Sequence, residues 1–437
     1  MTTSVFDATG TNPHDDERAL IELFPEGTHL DAEGELVVGG VRLTDIAERF
    51  GTPAYVLDES ALIRQATLFR EALAARWPNS RVVFASKAFP ATAVYRTLAE
   101  AGLGADVAGG GELALALAAG VRPDTIVVHG NAKSADELRA AVDAGVGLVV
   151  IDNFDDIAKL EDIVTGRQDV LVRVLPDVAA ETHEALATGK QGSKFGLGRA
   201  DAEEAIARLR ASDRLNLRGL HMHIGSQICE VDPYVAAVRA LASYGEFDIY
   251  DLGGGLGVRY TYDDAPPSVE AWLDGLVGAA AAHLPRHAQL LIEPGRSVVA
   301  RSGLTLYRVV SVKKGHPTFV AVDGGMGDNL EVSLYGQRFE ATVVNRVGGG
   351  EVVNLVGKHC ESGDRLSTGV PLREPRVGDV VAVPVTGAYC HTMANNYNGA
   401  RRPPVIFADG QRTRAVVRRE TYEDLTRRDL ADVRGEV

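Results

Sequence analysis

The stretch Arg81-Val82-Val83-Phe84-Ala85-Ser86-Lys87-Ala88-Phe89-Pro90 joins a short apolar strand to the start of a helical pattern. Residues 82–86 are apolar or small and β-prone, and Pro90 opens the helical segment. Lys87 follows the strand at once, where burial would lower the pKa of a lysine and free its amine to act as a nucleophile. The alternative is a lysine whose charged end reaches solvent beyond the strand. The pattern on either side of the stretch favours the first interpretation.

The composition of the 437-residue chain predicts a soluble globular protein with two domains. The formal net charge of −15 argues against a nucleic acid or an acidic membrane as partner, and no apolar run is long enough to span a membrane. The N-terminal residues lack the basic and apolar regions of a signal peptide. Cys229, Cys360 and Cys390 are too few and too scattered for a disulfide framework, so we expect a cytoplasmic protein.

Segments of strand length alternate with helical segments through the middle of the chain. Eight such runs predict a (β/α)8 barrel, with an open parallel sheet as the alternative because periodicity cannot show closure. The runs are residues 82–86, 105–107, 125–129, 147–152, 170–175, 217–223, 247–252 and 290–293. Ser134 followed by Glu137 also predicts a capping box at the start of one helix.

After residue 303 the pattern changes to valine-rich, strand-like segments separated by Gly, Asp and Pro. This pattern predicts a C-terminal β domain of the β-sandwich or barrel-like kind. The segments are residues 307–312, 318–322, 341–347, 351–356, 379–385, 405–407 and 414–418. A strand near residues 35–41 precedes the barrel and is expected to join this domain. We therefore predict an N-terminal arm and strand over residues 1–52, a barrel over 53–303 and a β domain over 304–437.

Polar side chains follow the predicted barrel strands at the end where barrel enzymes place their active sites. They are Lys87, Asp106, His129, Asn131, Asp152, Arg173, His221, His223, Asp251, Glu293 and Arg296. Unrelated core histidines and surface charges would not all lie at the same end of the strands. The distribution therefore predicts one polar site at the C-terminal ends of the barrel strands, which we call the mouth of the barrel.

Two motifs at this mouth suit a phosphorylated cofactor with a pyridine ring. In Asp251-Leu-Gly-Gly-Gly-Leu-Gly257, glycines would let the backbone approach a phosphate, although Val258 breaks the G-x-G-x-x-G pattern and a plain tight turn fits equally well. In Glu293-Pro-Gly-Arg296, the carboxylate could face a pyridine nitrogen and keep it protonated, which strengthens the ring as an electron sink. The alternative is an ordinary Glu–Arg ion pair at a turn.

A third motif, His221-Met-His223, places two histidines on one face of the sixth strand. One interpretation is the metal site of a barrel hydrolase, although such enzymes carry this pair on their first strand. A second is a ring stacked on a flat cofactor, with Ser226 reaching a phosphate, and a third is a pair of satisfied strand-end histidines. Together, a candidate Schiff-base lysine, a phosphate loop, a stacking ring and a ring-nitrogen carboxylate meet the requirements of pyridoxal 5'-phosphate.

The chain resembles the fold-type III pyridoxal-phosphate decarboxylases, and among them most the diaminopimelate decarboxylases. The resemblance extends in family order from about residue 50 to the C-terminus. The matching stretches are Ala85-Ser-Lys-Ala-Phe89, Ala105-Asp-Val-Ala-Gly-Gly-Gly-Glu-Leu113, His129-Gly-Asn-Ala-Lys-Ser134, Ser193-Lys-Phe-Gly196, residues 221–228, 251–257 and 293–296, Asp323-Gly-Gly-Met326, Gly357-Lys-His-Cys-Glu-Ser-Gly-Asp364, and residues 387–399.

The resemblance implies a role for each matching residue. As catalytic residues, Lys87 would hold pyridoxal phosphate as a Schiff base and Cys360 would donate a proton. Cofactor contacts would come from Lys87, Asp106, His223, Ser226, Gly255, Glu293, Gly295, Arg296 and Tyr389. Substrate contacts would come from Arg296, Glu331, Tyr335, Glu361 and Tyr389. Cys360 and Glu361 would enter the mouth from the second subunit of a homodimer with shared active sites.

The resemblance implies decarboxylation of meso-diaminopimelate to L-lysine, as in lysine biosynthesis, but one position departs from the family pattern. Glu331 stands four residues before Tyr335, where these enzymes usually carry an arginine for the distal carboxylate. A negative charge there would repel that carboxylate. A basic amino acid such as D-lysine or D-ornithine is therefore the alternative substrate. Three different kinds of protein also remain open: a racemase of the same fold type, a metal-dependent hydrolase using His221 and His223, and a non-catalytic cofactor binder.

Overall fold

The computed structural model describes residues 17–176, 178, 193–410 and 412–430. The chain forms two compact units. The first, which we call the barrel unit, contains Leu62–Arg259 and Asp264–Ala300. The second, which we call the β unit, contains Met1–Ala61, Tyr260–Asp263 and Arg301–Val437.

Within the described residues, eight parallel strands of the barrel unit pair in chain order, and the eighth pairs with the first. From first to eighth they are Ser80–Ala85, Gly104–Val107, Ile126–Val128, Leu148–Ile151, Gln168–Arg173, Leu215–His221, Ile249–Asp251 and Gln289–Ile292. The predicted barrel is therefore confirmed, and the open-sheet alternative is wrong. The interior holds branched side chains from six of these strands, namely Val83, Val127, Leu148, Val150, Leu171, Ile249 and Leu291.

Helices alternate with these strands, as the sequence predicts. They are Glu59–Arg76, Thr92–Glu100, Gly110–Ala118, Ala135–Ala144, Phe154–Ile163, Arg199–Arg210, Asp232–Ala242, Val269–His283 and Arg296–Val299, with 3₁₀ turns at Ser86–Ala88, Pro123–Thr125 and Ala300–Ser302. The predicted capping box is confirmed, because Ser134 accepts from the backbone of Glu137 and the Glu137 carboxylate accepts from the backbone of Ser134. No helix in the described ranges combines the length and apolarity needed to cross a membrane.

The β unit is built on a sheet that, among the described residues, has nine strands. They are Ala54–Asp58, Gly303–Lys313, Thr318–Val322, Thr342–Val343, Glu351–Val356, Arg365–Leu372, Val380–Pro384, Val405–Asp409 and Arg412–Val417. A smaller sheet contains His29–Leu30, Leu36–Val38 and Val41–Arg42, and the helical segments are Glu17–Ile21, Leu43–Phe50, Glu331–Tyr335, Tyr397–Gly399 and Tyr422–Thr426. Leu36 and Val38 share one buried core with Leu304 and Ile406.

Two strands of this sheet differ from the sequence-based expectation. Ala54–Asp58 pairs antiparallel with Gly303–Lys313 and parallel with Val405–Asp409, whereas the sequence placed it at the start of the barrel segment. Arg365–Leu372 pairs with Glu351–Val356 and was not predicted as a strand. The β unit therefore takes one of its inner strands from the N-terminal part of the chain.

Candidate active site

The first barrel strand ends in the 3₁₀ turn Ser86–Ala88, which carries Lys87. The buried hydroxyl of Ser86 lies within hydrogen-bonding distance of the Asp106 backbone oxygen and 3.1 Å from Oε2 of Glu112, which fixes the turn against the second strand. The Lys87 side chain is exposed, so the expectation of a buried lysine is wrong. The reason is that the turn carries this side chain past the buried end of the strand. An exposed amine can react with a carbonyl compound arriving from solvent.

Glu293 lies just beyond the eighth strand, and each of its carboxylate oxygens faces a histidine. Nε2 of His129, which follows the third strand, is 2.6 Å from Oε1. Nε2 of His221, at the end of the sixth strand, is 3.1 Å from Oε2. The two imidazole rings meet edge to face with centroids 4.8 Å apart, and all three side chains are buried. Glu293 is therefore held in one orientation from two sides.

The surroundings of Glu293 keep its carboxylate ionised. Burial alone would raise the pKa of Glu293, but the charges of His129 and His221 and their hydrogen bonds outweigh burial and hold this pKa well below its usual range. Burial alone would lower the pKa of His129, yet the carboxylates of Asp106 and Glu293 raise it above its ordinary value. The two pKa shifts therefore favour a protonated His129 beside an ionised Glu293.

The pKa values of the groups around this pair are shifted in the direction that favours the neutral form of each group. Burial lowers the pKa of His221 to about 4. Burial raises the pKa of Asp106 to about 7, although the charge of His129 opposes this shift. Burial, reinforced by the charge of Glu293, raises the pKa of Asp251 well above its usual range. Environments that push neighbouring pKa values apart are typical of active sites, because they assign one group to each charge state.

His129, His221, Asp251 and Glu293 each place one possible ligand atom within 4.8 Å of the others, a composition that could suit a metal ion. Among the described residues this cluster does not include His223, whose Nδ1 accepts from the backbone N–H of Gly254 over 3.3 Å. The hydrolase alternative required His221 and His223 to act as a pair. In the part of the chain that the structure describes, only His221 of the two belongs to a group of three or more possible metal ligands, so the structure gives that alternative no support.

Glycines after the seventh strand allow the backbone to approach its neighbours closely. A Cβ on Gly254 would lie 2.1 Å from the backbone oxygen of Glu293, and one on Gly255 would lie 2.3 Å from that of Gly225. Gly255 also has a φ of +110°, a conformation that side chains disfavour. The turn is therefore fixed against both the sixth and the eighth strand ends.

A cation and a hydroxyl meet beside this turn. The buried Arg296 donates through Nε to Oγ of Ser226 over 3.3 Å, and Ile228 donates to the backbone oxygen of Gly255 over 3.0 Å. Gly295 lies against the first strand, where a Cβ would be 2.9 Å from the backbone oxygen of Ala85. A guanidinium, a hydroxyl and glycine backbone N–H groups are the donors that proteins use to bind phosphate.

A chain of buried charges links the ends of the third, fourth and fifth strands. Nζ of Lys133 is 2.7 Å from Oδ2 of Asp156, which also accepts from the backbone N–H of Asp152 over 3.0 Å. The other end of the chain is Arg173, whose Nη1 is 3.5 Å from Oδ2 of Asp152. Oδ1 of Asp152 accepts from the backbone of Gly196 over 2.8 Å. Removing one partner of such a buried pair leaves an uncompensated charge, so these contacts fix the strand ends firmly.

The remaining predicted site residues lie in the β unit. Glu331 begins the helix Glu331–Tyr335 and is only 1% exposed, whereas Tyr335 is half-buried. Tyr389 is half-buried and has a φ of +64°. Cys360 and Glu361 are exposed on the turn that precedes the strand Arg365–Leu372. Because Glu331 is buried, its carboxylate does not face solvent.

Known proteins resemble this chain over nearly its whole length. A family described as "Pyridoxal-dependent decarboxylase, pyridoxal binding domain" matches residues 59–300. A diaminopimelate decarboxylase from Actinosynnema pretiosum subsp. auranticum is 48% identical, and the alignment covers 93% of this chain and 95% of that protein. The Bacillus subtilis diaminopimelate decarboxylase is 41% identical, with 93% and 98% covered. The chain belongs to the diaminopimelate decarboxylase family of pyridoxal-dependent decarboxylases.

A solved structure agrees with this assignment. The diaminopimelate decarboxylase from M. jannaschii in complex with L-lysine has a TM-score of 0.87 and 29% sequence identity, and the match covers 93% of this chain and 98% of that one. The fold class predicted from the sequence is thereby confirmed. The racemase, hydrolase, non-catalytic and basic-amino-acid alternatives find no support among these relatives, and the protein is a carboxy-lyase of this family.

The barrel residues of this decarboxylase fit pyridoxal 5'-phosphate, the cofactor of the family. Lys87 offers an exposed amine, and the buried, ionised Glu293 can accept a hydrogen bond from a protonated ring nitrogen. Arg296, Ser226 and the glycine turn offer donors for a phosphate. The sequence alone identified these residues but not the contacts of His129, His221 and Asp251 with Glu293, nor Lys133 and Asp156. The signal for His129, His221 and Asp251 was their position at or just after strand ends, and that for Lys133 was its place in the stretch of residues 129–134. Asp156 lies in the helix Phe154–Ile163 and had no such signal.

Proposed function

We propose that this decarboxylase removes one carboxyl group of meso-diaminopimelate as CO2 and releases L-lysine. The observation that carries the proposal is the buried, ionised Glu293 at the same barrel end as the exposed amine of Lys87. The strands that precede these two residues are paired neighbours in the barrel. The substrate is inferred from full-length relatives that are named diaminopimelate decarboxylase.

In this proposal each residue has one task in binding or proton transfer. When bound, pyridoxal phosphate supplies the electron sink that accepts the electron pair left by the departing CO2. Lys87 would hold the cofactor through Nζ. Glu293 would keep a proton on the ring nitrogen, because its low pKa makes the carboxylate a hydrogen-bond acceptor rather than a competing acid. Sγ of Cys360 then delivers a proton to the α-carbon.

Other residues of the barrel unit orient the cofactor. We assign the phosphate to Ser226, Arg296 and the backbone at Gly255 and Gly295, and the ring face to His223. Asp106 contributes a carboxyl whose pKa, raised by burial to about 7, lets it exchange a proton near neutral pH. The roles given to Tyr335 and Tyr389 in the β unit stay predictions.

The proposed enzyme is a homodimer in which Cys360 and Glu361 serve the partner's active site. Mixing an inactive Lys87→Ala protein with an inactive Cys360→Ala protein should restore activity, because a hybrid dimer holds one site with both residues intact. With random exchange we expect about a quarter of the parental CO2 release, since half of the dimers carry one intact site of two. Subunit exchange is verified separately by mass spectrometry of differently tagged chains. Proven exchange without recovered activity would show that the sites are not shared.

The substrate is tested by comparing kcat/KM on meso-diaminopimelate, D-lysine and D-ornithine. A distal carboxylate bound by a cation contributes a charge-assisted hydrogen bond, so we expect diaminopimelate to be preferred by about 10- to 150-fold. Because Glu331 is buried, we expect Glu331→Gln to keep the same preference order. A parent enzyme that prefers D-lysine, together with a Glu331→Gln variant that loses this preference, would establish the alternative substrate instead.

We further propose a cytoplasmic location. No disulfide joins Cys229, Cys360 and Cys390, all of which lie in the described part of the chain, and this suits a reducing compartment.

A further inference from the structure

The exposed neighbours Cys360 and Glu361 lie on one turn of the β unit. The proposed function assigns proton transfer to Cys360, and the family resemblance implies substrate binding by Glu361. Exposed turns are mobile unless other groups bind them, whereas proton transfer requires a donor placed within hydrogen-bonding distance of the reacting carbon. The contacts that immobilise this turn therefore affect the reaction. One set is made by Asp364 at the base of the turn, and the other is made by Tyr397 and Asn398 at its side.

Below the turn, the buried carboxylate of Asp364 accepts three hydrogen bonds. Oδ1 accepts from the backbone of Met326 over 2.6 Å, and Oδ2 accepts from the backbone of His359 over 2.7 Å and lies 3.0 Å from its Nδ1. A Cβ on Gly325 would lie 2.4 Å from this carboxylate, and one on Gly357 would lie 2.3 Å from it. These two glycines leave the space that Asp364 fills, so the base of the turn is fixed.

Beside the turn, the adjacent residues Tyr397 and Asn398 contact the adjacent residues Cys360 and Glu361. Oδ1 of Asn398 accepts from the backbone N–H of Cys360 over 2.7 Å. The Tyr397 hydroxyl is 3.5 Å from Oε2 of Glu361, a weak contact, and its ring stacks on that of His359 with the planes 3° apart. Asn398 itself has a φ of +54°, which Asn tolerates better than most residues.

We infer that Asn398 is a positioning residue for Cys360. Its side-chain oxygen accepts a hydrogen bond from the backbone N–H of Cys360 itself. This contact fixes the backbone of Cys360 and therefore the direction in which its thiol points. Asp364 fixes the turn from residues on either side of Cys360, whereas Asn398 acts on Cys360 directly. Without this acceptor the turn stays anchored at its base, but the thiol samples directions from which it cannot deliver its proton.

Two substitutions at position 398 separate the lost acceptor from backbone strain. Asn398→Gly removes the side-chain oxygen, and Asn398→Asp keeps an oxygen at the same distance along the side chain. Glycine and aspartate both tolerate a positive φ. Position 398 is exposed, so both variants should fold, and an unchanged thermal midpoint verifies this.

For Asn398→Gly holoenzyme we expect kcat for CO2 release to fall about 3- to 10-fold, which is what the loss of one hydrogen bond allows, while KM changes less than about twofold. The rate at which iodoacetamide alkylates Cys360 should change by a similar factor. Peptide mapping distinguishes this thiol from the half-buried Cys229 and the buried Cys390. Asn398→Asp should resemble the parent in both measurements more closely than Asn398→Gly does.

The inference rests on the proposed function, but the two fail separately. A parent enzyme that releases no CO2 from diaminopimelate overturns the proposed function, and the alkylation rates still report whether Asn398 fixes Cys360. An active parent whose Asn398→Gly variant keeps kcat and alkylation rate within about twofold overturns the inference. It is also overturned if Asn398→Asp is as impaired as Asn398→Gly, because the acceptor then has no influence.

Discussion

Replacing Lys87 by alanine is expected to abolish decarboxylation and covalent capture of the cofactor together. Without the amine of Lys87 the cofactor has no covalent anchor to exchange with the substrate amine, so CO2 release should fall to the background level. CO2 release measures the first effect. Borohydride reduction of the holoenzyme followed by peptide mapping measures the second, since the parent should carry the cofactor on Lys87 and the variant should carry none.

Lys314→Ala is the matched control for this experiment. Lys314 is an exposed lysine of the β unit whose Nζ is 2.6 Å from Oε2 of Glu351. Exposed ion pairs of this kind contribute little to stability, so activity and labelling should stay at the parental level. A Lys87→Ala enzyme with more than about a tenth of the parental kcat would contradict the assignment of Lys87 as the anchor.

Replacing Glu293 by glutamine is expected to lower kcat on the order of 10²–10³-fold. The neutral amide cannot hold a positive charge on the ring nitrogen, and it leaves the charged His129 without its closest partner, 2.6 Å away. The pKa of His129, which the Asp106 and Glu293 carboxylates raise in the parent against the effect of burial, should then fall. The single substitution is therefore expected to disfavour the positive charge on both the ring nitrogen of the cofactor and His129.

Glu293→Asp is the informative companion, because it keeps the charge but shortens the reach. Its carboxylate cannot meet His129 and His221 at the same distances, so we expect a kcat between those of the parent and Glu293→Gln. Equilibrium dialysis of pyridoxal phosphate against each apoprotein gives a readout that does not depend on turnover, and affinity should follow the same order. Equal affinity and activity in the parent and Glu293→Gln would refute the role given to this carboxylate.

The fold was largely predictable because its signals are local. Each barrel strand is a short apolar run next to a helical segment, and eight such units in series favour a barrel, although only the pairing of the eighth strand with the first shows that the sheet is closed. The predicted barrel segment, residues 53–303, includes Ala54–Asp58, which pairs in the other sheet, because an apolar run has the same pattern in either sheet and only its distant partners decide between them. Arg365–Leu372 was missed because Gly369 and Pro371 interrupt its pattern.

The active site was predictable as a set of positions but not as a set of contacts. Parallel strands bring Asp106, His129, His221 and Glu293 to one barrel end, so their proximity follows from topology. Which acid meets which histidine depends on side-chain directions and on burial, neither of which the sequence specifies. The same holds for Lys87, which the pattern placed at a buried strand end, whereas the 3₁₀ turn leaves it exposed.

The strand Ala54–Asp58 has a consequence for how the chain is synthesised. Its two partners, Gly303–Lys313 and Val405–Asp409, leave the ribosome about 250 and 350 residues later. At about 5–20 residues per second, the first partner arrives on the order of 10–50 s after this strand. During that interval an apolar strand with both edges unpaired is a site for association with other chains. Slower translation should therefore lower the yield of active enzyme, and a chaperone that shields residues 54–58 should restore it.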